Sequence, residues 1–209
     1  MGAVKTGGLE WAAAGATRPG ATESGDRCIV VPVSSGTLAV VADGLGHGEQ
    51  AASAARRVMD TVESAAGALT LLDVVHRCHD ALLRDSRGAV VSLAYHNPEQ
   101  GVVTWLGVGN VEGRLLLRTS RGQYLQESLL LRPGILGGRL PRLRPSVRRV
   151  NPGDVLILAT DGISADFADD LPIDAHADDI AKDILVRCGK RTDDALVLVM
   201  RYVAHASSR

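Results

Sequence analysis

Asp43 ends an apolar run, "AVVADGLGHGEQ" over residues 39–50, and is followed at once by Gly44, with Gly46 and Gly48 close behind. The same signature returns at "LILATDGIS", where Asp161 precedes Gly162. "GKRTDDALVLVM" reverses it, with Asp193 and Asp194 leading into an apolar run, and "ESGDRCIVV" sets Asp26 just ahead of another. Taken singly, an Asp at a strand end is a common turn or cap residue. Taken together, acids at four strand boundaries meet if adjacent antiparallel strands bring those boundaries to one edge. Gathered carboxylates repel one another unless a cation neutralises them or some take up protons. With no His or Cys in the set, the fitting cations are hard and oxygen-seeking, Mg²⁺ or Mn²⁺ rather than zinc. Two such ions about 4 Å apart clamp a water, lower its pKa and neutralise a phosphate under attack. A glycine behind the acid permits a sharp turn and bares a carbonyl as a further ligand.

Positioning these acids falls to the elements around them. Apolar runs rich in Val, Leu and Ile recur at residues 28–33, 37–42, 89–95, 102–108, 114–118, 154–160 and 195–203, bounded by Gly, Asn, Asp or Pro as strands are. Between the second and third runs the period changes. Ala51, Ala54, Ala55, Val58, Met59 and Val62 keep helical spacing, as do Leu71, Val74, Val75, Cys78, Ala81 and Leu82. Gly67 separates these two predicted helices, and Thr70 is placed to cap the second. A third helix is predicted over 175–187, stopped by Gly189. Strand blocks on either side of a helical hairpin disfavour parallel βαβ units. They favour antiparallel sheets layered with helices, an α+β domain expected to occupy 1–209. Residues 132–149, rich in Arg, Pro and Gly, read as one long loop.

"VADGLGHG", "ATDGI" and "TDDALVLV", in that order behind "SGD", resemble the metal-dependent protein phosphatases of the PPM family. The chain is most similar to the SpoIIE-like branch, and "GVGNVEGRL" and "RPGILG" look most like its small RsbX-type stressosome phosphatases. The resemblance implies a four-layer αββα sandwich of two mainly antiparallel sheets flanked by helices, holding two Mn²⁺ or Mg²⁺ ions at one edge. By position, Asp43 would bridge both ions and the Gly44 carbonyl would assist. Asp161 and Asp193 would complete one shell, and Asp26 would serve the other directly or through water. A water activated there would attack phosphorus in line, with no phosphoenzyme. The implied substrates are phosphoserine and phosphothreonine on signalling proteins, stressosome scaffold components among them. The chain departs from the family at Leu45, where animal members carry a His proposed as general acid. His47, two residues on, is either a proton donor or a plain loop histidine. A rival reading keeps the fold and drops the chemistry, leaving a phosphatase-like module that docks partners without catalysis. The intact acid set speaks against it.

Two patterns invite other chemistry. Gly44, Gly46 and Gly48 follow a strand, but their spacing is not that of a dinucleotide loop, and the acid in front would repel pyrophosphate. Cys78 to Arg84 matches the Cys-x5-Arg spacing of cysteine-dependent phosphatases. It has no glycine and continues a helical pattern, so no open N–H cradle is expected and Cys78 reads as core. Arg132, Arg139, Arg142, Arg144, Arg148 and Arg149 concentrate positive charge. They are either a solvated loop or a docking surface for a phosphorylated or acidic partner, with Arg142 and Arg144 at its centre. Scarce aromatics argue against nucleic acid.

The overall balance adds exclusions. With 209 residues, 45% hydrophobic, 22% charged and a formal net charge of -1, nothing global points to nucleic acid or membrane. Three cysteines with no CxxC pair indicate neither a disulfide framework nor zinc, which suits a cytoplasmic protein. No apolar stretch nears the roughly 20 residues that span a bilayer. The opening Met1-Gly2-Ala3-Val4-Lys5-Thr6 matches the short myristoylation pattern, which means nothing without a modifying enzyme.

Overall fold

Alternation along strand β4 (Gly36–Gly44) divides the molecule into layers. Leu38, Val40 and Ala42 face a cluster shared with helices, whereas Ala39 and Val41 face a second cluster shared with another sheet. The computed structural model describes residues 4–6, 8–33, 35–65, 70–83 and 87–204. Met1, Gly2 and Ala3 of the lipidation pattern, Gly67 between the predicted helices, and Arg84 of the Cys-x5-Arg pattern lie outside the described residues.

The first sheet runs, in spatial order, β10 (Ser146–Arg149), β6 (Val102–Val108), β5 (Ala89–Asn97), β4 and β3 (Asp26–Val33). These pairs are antiparallel, and the two-residue β9 (Leu131–Arg132) lies parallel to β6. The second sheet runs β1 (Val4–Thr6), β2 (Leu9–Ala16), β12 (Ala195–Tyr202), β11 (Val155–Ala159), β7 (Glu112–Arg118) and β8 (Tyr124–Ser128), antiparallel throughout. Helices α1 (Glu49–Ala65) and α2 (Leu71–Leu82) cover the first sheet, and α3 (Ala177–Cys188) covers the second. The expected αββα sandwich is what forms. Trp105, Leu156, Leu158 and Leu198 fill the space between the sheets and are all but inaccessible to solvent. Each contributes about 1.5–3 kcal/mol by leaving water. No helix among the described residues is long and apolar enough to cross a membrane.

Local chemistry explains most of the boundaries. Thr70 caps α2 in a reciprocal box: its hydroxyl accepts the Asp73 N–H at 3.2 Å, and its own N–H donates to Asp73 Oδ2 at 3.0 Å. Cys78 lies on that helix inside the core, and burial pushes its thiol up to about 12, so it is no nucleophile at neutral pH. The predicted third helix is found one to two residues later. Gly189 ends it without a left-handed turn (φ −68°); a Cβ there would sit 2.4 Å from the Leu185 carbonyl oxygen.

One strand was not anticipated from the sequence, and one predicted loop is in part a strand. "LEWAAAGA" has the composition of a helix but forms β2, paired residue for residue with β12 from Leu9 to Ala16. Its small Ala12 and Ala14 let α3 close against the sheet through Ala177 and Ala181, so tertiary pairing overrides propensity. The expected long loop at 132–149 is shorter than predicted, because β10 pairs with the β6 edge. Leu136 is fully buried, and Leu140 and Leu143 pack against the helix-side cluster.

Candidate active site

Register puts Asp26 of β3 directly opposite Asp43 of β4, and both belong to the row that faces between the sheets. In the second sheet β11 runs out into Thr160 and Asp161, and Asp193 and Asp194 immediately precede β12. These ends coincide at one end of the sandwich. The four predicted acids and Asp194 line a single cleft of about 310 Å³, together with Arg18, Leu45, Gly46, His47 and Asn110. The acids thus gather across two sheets rather than along the edge of one. Arg142 and Arg144 are exposed and do not line the cleft.

The cluster is electrostatically expensive. Burial, then the charges of Asp26, Asp161, Asp193 and Asp194, push the Asp43 carboxyl up to about 8. Asp26 is pushed up to about 7, first by burial; the Thr160 hydrogen bond opposes this, and the like charges of Asp194, Asp161 and Asp193 add to it. Both carboxyls prefer protonation near neutral pH unless a cation takes the place of the proton.

Neighbouring donors orient the acids. Thr160 donates its hydroxyl proton to Asp26 Oδ2 at 2.6 Å, a bond that ties the two sheets together at the cleft. The same hydroxyl accepts the Leu196 N–H at 2.9 Å. Asn110 donates from Nδ2 to Asp161 Oδ2 at 2.8 Å, and the Lys190 ammonium reaches the Asp161 carbonyl at 2.6 Å. Asp194, nearly inaccessible, accepts the N–H groups of Arg18 (2.9 Å) and Gly25 (2.7 Å), so it fixes the segment that carries Arg18 and leads into Asp26. Asp193 is exposed at the cleft, and its Oδ1 accepts the Asp194 N–H.

The glycines serve a different purpose from the expected turns. Gly44 and Gly162 do not have positive φ. A Cβ at Gly44 would lie 2.0 Å from the Ala51 carbonyl oxygen of α1, and one at Gly162 would lie 1.8 Å from that of Asp194. Each Asp-Gly pair therefore lets backbone press against the strand end just behind the acid. Gly46 (φ 90°) and Gly48 (φ 73°) do take left-handed conformations, which turn the chain past His47 into α1. Arg87 steadies that turn, donating to Gln50 Oε1 and to the Leu45 carbonyl.

The donor set fits divalent cations of the Mg²⁺ or Mn²⁺ kind, being all oxygen and short of positive charge. Among the described residues no three His, Cys, Asp or Glu side chains are drawn together closely enough to hold an ion alone. An ion here would take one or two carboxylates and keep waters, the usual habit of Mg²⁺. Sequence reasoning missed Arg18, Thr160, Asn110 and Lys190. Asn110 carried a usable signal, since it follows an apolar strand and a glycine just as the acids sit at strand ends. Thr160 could have been found from alternation, which turns residues 156, 158 and 160 toward the facing sheet. Arg18 and Lys190 carried none.

Residues 33–203 match the family model for stage II sporulation protein E, SpoIIE. The chain is 28% identical over 158 residues to the phosphoserine phosphatase RsbX of Bacillus subtilis (strain 168), covering 75% of this chain and 76% of that protein. A structure solved in work on the bacterial stressosome, as a modular system adapted to control secondary messenger signalling, aligns at a TM-score of 0.81. Identity there is 30%, covering 92% of this chain and 99% of the other. RsbX in complex with magnesium shares the fold at a TM-score of 0.83 and 23% identity, over 96% of this chain and 98% of that one. So does the catalytic domain of the serine/threonine phosphatase PstP in complex with two manganese ions, at 0.71 and 18%, over 94% and 99%.

Proposed function

The chain belongs to the SpoIIE family, and from that premise we propose that it is a Mn²⁺- or Mg²⁺-dependent protein phosphatase. On this reading it removes phosphate from phosphoserine or phosphothreonine on a signalling protein. The observation that carries the proposal is the convergence of five carboxylates from two sheets on one cleft, with two of them pushed up toward neutral pH. A cluster of that kind is a liability for a protein that does not use it.

When bound, two divalent cations lower the pKa of a water and neutralise the phosphate it attacks. Asp43, Asp26, Asp161, Asp193 and the Gly44 carbonyl would hold them. Hydrogen bonds from Thr160 and Asn110 orient Asp26 and Asp161 toward that role. Arg18 also lines the cleft, and its guanidinium would suit a phosphate oxygen there. His47, exposed in the lining, stands where it could donate a proton to the departing serine or threonine oxygen. The likeness to RsbX and to a structure from work on the stressosome supports a phosphorylated stress-signalling protein, of the stressosome or anti-sigma-factor kind, as the substrate, met in the cytoplasm on this reading. One phosphatase domain spanning 1–209 accounts for the whole reading.

Hydrolysis of p-nitrophenyl phosphate tests the proposal. Turnover should require Mn²⁺ or Mg²⁺, stop on chelation and vanish in Asp161→Asn while the fold persists. Chelator-resistant turnover would defeat the mechanism, and metal-loaded protein with no turnover would favour the non-catalytic docking module. For His47→Gln, loss should be greater on phosphoserine than on an aryl phosphate with a good leaving group; equal loss would remove its role as acid.

A further inference from the structure

Residues 132–149 contain six arginines and no acid, in a chain whose formal net charge is -1. The segment is anchored. Leu136, Leu140 and Leu143 pack against the helix-side core, while Arg139, Arg142 and Arg144 alternate with them and stay exposed. Among the described residues Arg148 pairs with Glu127, whereas Arg139, Arg142 and Arg144 have no ion-pair partner. These guanidinium groups are held out by a fixed backbone, so a partner that met them would lose less ordering entropy than on a free loop.

The segment begins at the lip of the acid-lined cleft. The Arg132 carbonyl accepts the Gly109 N–H at 2.9 Å, one residue from Asn110 in the cleft lining. Ile135 and the lining residue Leu45 both crowd the space over Gly88. A turn closed by the Ile135 N–H on the Arg139 carbonyl, at 3.0 Å, then leads to Arg142 and Arg144. Leu130 and Val147, near the two ends of the segment, are each more than half exposed. Exposed arginine is enriched at protein-recognition surfaces.

Resting on the phosphatase reading, we infer that Arg139, Arg142 and Arg144 form a docking face for acidic residues that flank the phosphorylated side chain of a protein substrate. The phosphate enters the cleft; the flanking carboxylates pair with the guanidinium forks outside it. Charge complementarity selects an acidic polypeptide. Nucleic acid fits less well, because residues 132–149 include no aromatic side chain on which a base could stack.

The test uses two phosphoserine peptides that differ only in flanking residues, Glu on both sides in one and Gln in the other. The Mn²⁺-loaded protein should act on the Glu-flanked peptide with about tenfold higher kcat/KM, expressed in KM, since two or three exposed charge contacts amount to about that factor. The double variant R142E/R144E should erase the preference and leave p-nitrophenyl phosphate turnover within about twofold of the parent. Raising NaCl from about 50 to about 300 mM should shrink it in the parent, because such contacts are screened. Equal kcat/KM for the two peptides, or a preference that survives R142E/R144E, would overturn the inference. So would a single-stranded oligonucleotide that displaced the Glu-flanked peptide in fluorescence anisotropy and lost its own binding in R142E/R144E. Anisotropy separates the two layers of the argument: charge-dependent binding without turnover would sink the phosphatase reading and leave the docking face standing.

Discussion

The two Asp-Gly turns are near twins in sequence and differ in what the fold puts around them. Behind both acids the glycine admits a close backbone neighbour, the Ala51 carbonyl at Gly44 and that of Asp194 at Gly162. Asp43 then lies between the sheets opposite a second acid, Asp26, and its carboxyl is pushed up to about 8. Asp161 stands exposed at the rim, with Asn110 on its side chain and Lys190 on its carbonyl. One acid holds its charge at a cost that only a cation or proton relieves; the other is already oriented by donors. Identical local signatures can thus give a buried carboxylate under like-charge repulsion and an exposed carboxylate at the rim, the difference arising from the opposing strand.

The largest effects should come from the acids themselves. Asp43→Asn and Asp161→Asn should each reduce p-nitrophenyl phosphate turnover by more than the roughly 10–100-fold that losing an outer-shell partner costs. Metal-free thermal denaturation at pH 8.5 should then part them. Asp43→Asn should raise Tm, because it removes a buried charge among like charges, and Asp161→Asn should change it little. An equal rise in both would break the comparison.

Next come the glycines. Gly44→Ala and Gly162→Ala should each destabilise the fold by about 2–4 kcal/mol in urea titration, since a methyl group would have to displace backbone. Gly48→Ala, with open space around it, should cost only the ~1 kcal/mol of a left-handed conformation. Similar losses at all three positions would mean that close approach is not what selects glycine.

The pH dependence follows from the raised carboxyls of Asp26 and Asp43. Their folded values of about 7 and about 8 exceed the ordinary 3.8, so the folded state keeps protons that the unfolded chain releases. Metal-free protein should therefore lose stability as pH rises from about 4 through about 8. Mn²⁺ competes with those protons, so its affinity should tighten by up to about tenfold per pH unit for each proton displaced over the upper part of that window. A metal-free Tm that rose between pH 6 and pH 8, or a pH-independent Mn²⁺ affinity by calorimetry, would contradict this. The smallest effect is expected at Asn110: Asn110→Ala should weaken Mn²⁺ binding by about tenfold and leave the metal-free Tm almost unchanged.

Much of the fold was readable because its signals are local. The capping box at Thr70 and Asp73, the alternation of β4 and the helical spacing of Val58 and Val62 depend on residues a few positions apart. β2 was not readable, because its alanines acquire strand structure only by pairing with β12, near the other end of the described chain. The arginine segment misled for the same reason: β10 exists by virtue of β6, and Leu136, Leu140 and Leu143 are core only once the helices are in place.

By itself the sequence determined the kind of site. An apolar strand cannot carry an unpaired carboxylate into the core, so Asp26, Asp43, Asp161 and Asp193 mark strand ends, and oxygen donors alone imply a hard cation. Tertiary structure decided the rest. Asp26 faces Asp43 through sheet register, and Thr160 reaches Asp26 across 134 positions of chain. The raised pKa values arise from burial and from repulsion summed over acids that four separate segments deliver to one cleft. Both effects depend on distance through space, which a one-dimensional string of residues does not record.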